Sequence, residues 1–115
     1  MKRIEAFLQP DRLSKVVSAL HALPRFPGFT VLDAHGQGRG RGQGGRYVYG
    51  EVDGLLYHSH RLLIIFCDDG DANMISELIA SMAHTGHPGD GIVVTSHISK
   101  VRRVRDERPL EGGGA

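Results

Sequence analysis

Residues 60–67 read His60-Arg61-Leu62-Leu63-Ile64-Ile65-Phe66-Cys67. Side chains along a strand point alternately to opposite faces. An unbroken apolar run from Leu62 to Phe66 therefore needs cover on both sides, which is the signature of a central strand. Downstream, Asp68-Asp69-Gly70-Asp71 is a turn that supplies N-cap candidates. Met74, Ile75, Leu78, Ile79 and Met82 then recur at helical spacing and predict a helix over 72–84. Gly86 sits where that helix should end. A turn at 86–91 leads into a further strand at 92–97.

Upstream, the same order appears once more. Residues 2–9 alternate well enough for a strand, with Ile4, Ala6 and Leu8 on one face and Phe7 on the other. Pro10 or Asp11 opens a helix, because Leu13, Val16, Val17, Leu20 and Leu23 share one side. Pro24 and Pro27-Gly28 stop it, and Phe29-Thr30-Val31 starts a strand over 29–34. The order is β-α-β, a long connection, then β-α-β. This is the α+β, ferredoxin-like split βαβ arrangement, with a four-stranded antiparallel sheet carrying both helices on one face. The other face is then bare. Phe7, Leu63 and Ile65 are assigned to it, and an apolar face of that size on a small chain predicts a homo-oligomer with cyclic symmetry.

The chain has 115 residues, which suits one domain. That domain is placed at 1–108, with a flexible loop at about 37–57 and a disordered tail at 109–115. The tail begins to loosen from Asp106. The longest apolar run is six residues, Leu62 to Cys67. A membrane-spanning helix needs about 20, so the chain is not expected to be membrane-embedded. Cys67 is the one cysteine, so no internal disulfide can form and a cytoplasmic location is expected. Fourteen Lys and Arg against 13 Asp and Glu exclude a polycationic chain but not a local basic patch.

Four segments carry chemistry. Gly36-Gln37-Gly38-Arg39-Gly40-Arg41-Gly42-Gln43-Gly44-Gly45 holds six of the 16 glycines. A Gly-x-Gly-x-x-Gly pattern falls at Gly40, Gly42 and Gly45, but it is no dinucleotide fingerprint, because Tyr47-Val48-Tyr49 opens no helix. Glycines let main-chain N–H groups approach a phosphate, and Arg39 adds a charged fork. A mobile linker with solubilising arginines, or an arginine-glycine segment on RNA, fits the same residues. Without interleaved aromatics, nucleic acid is not the expected partner. Thr85-Gly86-His87-Pro88-Gly89-Asp90-Gly91 has more glycine than a helix end needs, and its amides suit an anion or a ribose. In Val101-Arg102-Arg103-Val104-Arg105, an extended backbone points Arg103 and Arg105 to one face as a phosphate clamp. An exposed basic edge strand would show the same pattern. Seven histidines complete the set, with His58 and His60 on one strand face and His84 and His87 beside the turn. Each pair would supply only half of a metal site, and with no third ligand at a matching spacing a metal is not the favoured reading. Cys67 ends a core strand and suits packing better than nucleophilic attack.

Taken together, these segments resemble the P-II signalling family over about residues 1–108. The resemblance lies in Met1 to Pro10 with Leu13 and Val16-Val17-Ser18-Ala19-Leu20, and in Pro27-Gly28-Phe29-Thr30-Val31. It continues in Gly36-Gln37-Gly38-Arg39, in the turn from Thr85 to Gly91, and in the arginines at 102–105. It implies a homotrimer that binds adenine nucleotides in clefts between subunits. Gly38, Arg39, Gly89, Asp90, Gly91, Arg103 and Arg105 would surround the phosphates, and Thr30 and Ile65 would lie near the base and ribose. The long loop would dock on a membrane transporter or a metabolic enzyme. Such a protein is a switch and not an enzyme.

Three departures from the family pattern stand out. Gly40 replaces the Gln after the loop arginine that serves the 2-oxoglutarate–magnesium–ATP assembly. Ile92 replaces the Lys that neutralises outer phosphates. Val52 aligns with the tyrosine that nitrogen sensors have modified. The expected ligand is therefore ADP or AMP in preference to ATP. The second reading is a metal-binding trimer of the copper-tolerance type, which shares this architecture.

Overall fold

The computed structural model of the protein describes residues 1–36 and 58–110. Strand β1 is Lys2–Leu8 and leads through a tight turn at Pro10–Arg12 into helix α1, Leu13–His21. Strand β2 is Thr30–Gly36, β3 is His58–Cys67, α2 is Asp69–Ala83 and β4 is Gly91–His97. The sheet order is β2-β3-β1-β4. All three pairings are antiparallel, so the ferredoxin-like α+β arrangement is what forms. The expected loop at about 37–57, with Gly38 and Arg39, lies outside the described residues.

Burial along β1 alternates, with Ile4, Ala6 and Leu8 closed off from solvent. The β1–β3 register pairs Ile4 with Ile65 and Ala6 with Leu63, so these four share a face. Val16 and Leu20 of α1 and Ala72, Ile75, Ile79 and Ala83 of α2 close over them. Leu63 and Ile65 thus belong to the helix-covered core, and their assignment to the uncovered face is corrected. An apolar run gives no parity of its own; only pairing with the alternating strand β1 settles it.

The uncovered face instead carries Leu62, Ile64 and Phe66 of β3, paired with Phe7, Glu5 and Arg3. Ile92 and Val94 of β4 and Leu32 of β2 extend it and are well exposed. The Arg3 guanidinium lies over the Phe66 ring, 5.7 Å from its centroid, and its Nε is 3.2 Å from Glu5. Charge is thus set inside an apolar patch, in a self-paired form.

Helix α2 starts three residues earlier than expected. Asp68 holds the N-cap position without a side-chain cap, because its carboxylate is taken by Arg25 at 2.7 Å. Asp69 pairs with the Met1 amine at 2.6 Å, and Asp71 with Arg25 at 3.3 Å. Both acids lie in the first turn, where the helix dipole favours them.

The C-terminal segment also differs from expectation. Residues 101–110 fold back on themselves, with Arg102 opposite Pro109 and the Leu110 N–H donating to Val101 at 2.8 Å. Leu110 is buried, so order continues past Asp106.

Because Leu63 faces the helices and Leu62 does not, the two should respond differently. Leu63→Ala should cost about 2–5 kcal/mol in urea denaturation, the usual range for a core leucine, with oligomeric state kept. Leu62→Ala should mainly weaken self-association in light scattering.

Candidate functional site

The turn between α2 and β4 is built around one carboxylate. Asp90 accepts hydrogen bonds from the Thr85 N–H at 2.8 Å, the Gly86 N–H at 2.9 Å and the Thr85 hydroxyl. The Thr85 hydroxyl oxygen in turn accepts the His87 N–H at 3.2 Å. These donors, Thr85 first, pull the Asp90 carboxyl down to about 2, and His84, with Nδ1 3.8 Å away, adds to the effect. Its oxygens are thus engaged in holding the loop. Gly91 has φ +111, and a Cβ there would come within 1.7 Å of the Phe7 carbonyl oxygen. Only glycine lets the turn pass so close to β1.

Two residues just after β1 brace the turn from a distance. Gln9 donates from Nε2 to the Gly89 carbonyl, and Arg12 from Nη2 to the His84 carbonyl at 3.3 Å. Neither shows in the sequence, because the partners are 80 and 72 residues away. Beside the turn, Ser76, Ala80 and Ala83 of α2 face Ile92 and Val93 across a groove of about 350 Å³.

A second element lies at the start of β2. Pro27, Gly28, Phe29 and Thr30 face Ile64 and Phe66 around a hollow of about 50 Å³. Pairing of β2 with β3 begins at Thr30 opposite Ile64. Beyond that rung, β3 has its named partner only on the β1 side. Ile65 sends its side chain into the core, so at this hollow it can offer only main chain. Ile64 and Phe66 are the side chains present there, which strand alternation would have indicated once the parity of β3 was known.

The third element is the C-terminal hairpin. Residues 104–106 form a turn, so Arg103 and Arg105 are not two rungs of one extended strand as expected. The Arg103 N–H donates to the Arg108 carbonyl at 2.8 Å. Its guanidinium holds Asp106 through Nη2 at 2.9 Å and Nε at 3.3 Å. Arg102 donates to the Glu107 carbonyl. Arg105 is exposed and has no partner among the described residues.

The hollow at Thr30 and the glycine turn do not meet within one chain. Thr30 opens the edge strand β2, whereas Gly91 opens the opposite edge strand β4. Three strand spacings separate the edges, roughly 14 Å. Along the strands, Thr30 aligns through Ile64 and Glu5 with Val94, three residues beyond Gly91.

Among the described residues no group of three or more His, Cys, Asp or Glu side chains assembles that could hold a metal ion. Cys67 is fully buried, and burial, reinforced by Asp71, pushes its thiol up, away from nucleophilic chemistry. No helix among the described residues is long and apolar enough to cross a membrane.

A family model described as Nitrogen regulatory protein P-II matches residues 1–108. The chain belongs to the P-II family. A curated relative from Porphyra purpurea, named Nitrogen regulatory protein P-II, is 37% identical over 105 residues, covering 91% of this chain and 92% of that one. Proteins of the same name from Synechocystis and Rhizobium meliloti are 33% and 32% identical over the same shares. P-II family members are regulatory signalling proteins, typically trimeric, that bind adenine nucleotides and act on partner proteins.

Asp90 supplies a test of the turn. Its folded pKa is depressed, so its contribution to stability is present above the unfolded value of 3.8 and is lost as pH falls toward about 2. Asp90→Asn should lower the melting temperature at neutral pH. The gap to the unaltered protein should close as pH drops through that window, as followed by thermal melts in acid buffers.

Proposed function

We propose that this P-II family member is a trimer that binds an adenine nucleotide between copies and reports its occupancy to a partner. The observation that supports the proposal is that the Thr30 hollow and the glycine turn lie at opposite sheet edges. The base-side hollow at Thr30 and the glycine turn at 89–91 can close on one ligand only when the β2 edge of one copy meets the β4 edge of another. The uncovered apolar face supplies the reason for copies to assemble.

In that cleft, Phe29 and Phe66 offer apolar walls to a base, with Thr30 and the Ile65 main chain at its rim. The main chain of Gly89, Asp90 and Gly91 would meet phosphate, with Asp90 as the internal anchor of the turn. Arg103 and Arg105 would provide the cations, joined by Gly38 and Arg39 of the segment outside the described residues. ADP or AMP is favoured over ATP. Ile92, directly after the turn, is an exposed apolar residue that cannot neutralise an outer phosphate. The segment at 37–57 would contact a membrane transporter or metabolic enzyme in the cytoplasm, and the output is a population shift and not catalysis.

Titration calorimetry with AMP, ADP and ATP, with and without 2-oxoglutarate, tests this. ADP or AMP should bind more tightly than ATP and show no dependence on 2-oxoglutarate. The double change Arg103→Ala, Arg105→Ala should weaken binding by roughly a hundredfold, as expected for two charge-assisted contacts, while light scattering still reports a trimer. Unchanged affinity in the double variant would overturn the assignment.

A further inference from the structure

We propose that Asp106 is a built-in competitor for the anion site: its carboxylate occupies the guanidinium fork of Arg103 until a phosphate-bearing ligand displaces it. This rests on the nucleotide reading of the C-terminal arginines and adds to it what sets their affinity.

The geometry of the hairpin carries the inference. Nη2 and Nε of Arg103 address the two oxygens of Asp106 separately, at 2.9 and 3.3 Å. A guanidinium presents the same two-point face to a phosphate, so one group excludes the other from it. The carboxylate is also held in place for this task. Its Oδ1 accepts the Arg108 N–H at 3.1 Å, and Glu107 at φ +60 closes the turn behind it. Holding Asp106 three residues from Arg103 makes the pairing local, so little entropy is lost each time it forms. The pair is not sealed either, with side chains 37% and 32% exposed. Water and ligand can reach it, and exchange does not require unfolding. The depressed carboxyl of Asp106, owed first to Arg103 and then to the Arg108 N–H, fits a charge kept in place at neutral pH.

The three arginines are consequently unequal. Arg102 is held by the Glu107 carbonyl and Arg103 by Asp106, while Arg105 stands exposed in the turn. An incoming anion meets Arg105 first and gains Arg103 only by ejecting a carboxylate. Ligands with too little negative charge to compete would be held by Arg105 alone. Asp106 thereby sets a threshold on ligand charge.

The test is calorimetry with ADP and with inorganic pyrophosphate on the full chain and on Asp106→Asn, Arg103→Ala and the double variant. Asparagine keeps an acceptor for the Arg108 N–H, so the turn should persist, and an unchanged melting temperature would verify it. Asp106→Asn should tighten both ligands about two- to fivefold, the scale of an exposed ion pair. That gain should vanish in the Arg103→Ala background, where Arg105 still permits weaker, measurable binding. If the unaltered protein binds ADP and Asp106→Asn binds no more tightly, the competitor role is overturned and the nucleotide site stands. An equal gain in the Arg103→Ala background would also overturn it, because Asp106 would then act only by repulsion. If neither the unaltered protein nor Asp106→Asn binds ADP or pyrophosphate, the nucleotide reading and the competitor role both fall.

Discussion

The pairing of β1 with β3 is the constraint from which the rest of this molecule follows. Ile4 opposite Ile65 and Ala6 opposite Leu63 put four apolar side chains on one face, and both helices close over that face. A shift of one residue in this register would put Leu62, Ile64 and Phe66 under the helices and send Leu63 and Ile65 to the uncovered face. With β1 and β3 in the centre, β2 and β4 become the two edges. The Thr30 hollow and the glycine turn lie at these two edges. Strand order thus keeps these two stretches apart within one chain.

Several carboxylates among the described residues are engaged by groups of the same chain. Asp90 ties together the turn that precedes β4, Asp68 and Asp71 hold Arg25, Asp69 holds the amino terminus, and Asp106 holds Arg103. With its formal charge near zero, the chain has no broad field with which to attract an anion. In the proposed function, phosphate would have to be met by local donors: main-chain N–H groups at glycines and a small number of guanidiniums. In that setting a single carboxylate within reach of an arginine fork matters more than it would on a strongly basic surface.

The same economy bears on assembly. The uncovered face is not uniformly apolar, because Arg3 lies over Phe66 and beside Glu5 in its midst. Burying that face against another copy leaves these charges paired within their own chain, which limits the cost of removing them from water. Leu32, Ile92 and Val94, at the two edge strands, are the exposed apolar residues that would gain most from such contact.

Much of this was legible from residues alone. Alternation at Ile4, Ala6 and Leu8, helical spacing at Val16 and Leu20 and at Ile75 and Ile79, and breakers at Pro24, Pro27 and Gly86 determine the elements and their order. These signals are local, acting over one or two turns or rungs. The order, and the glycine and arginine clusters within it, also carried the family. What the sequence could not decide by itself was anything that depends on a distant partner. The run Leu62 to Phe66 has no parity until β1 lies beside it, so Leu63 and Ile65 were read on the wrong face. That Asp90 anchors its own loop shows only when Thr85 and Gly86 are seen to donate to it. Arg103 and Arg105 form a clamp only if the backbone stays extended, and hydrogen bonds from Arg103 to Arg108 and from Leu110 to Val101 turn it instead. Gln9 and Arg12 brace a turn more than 70 residues away that no spacing could announce. Local spacing determines which elements form; only the tertiary fold, by choosing which groups desolvate against which, decides where their side chains point.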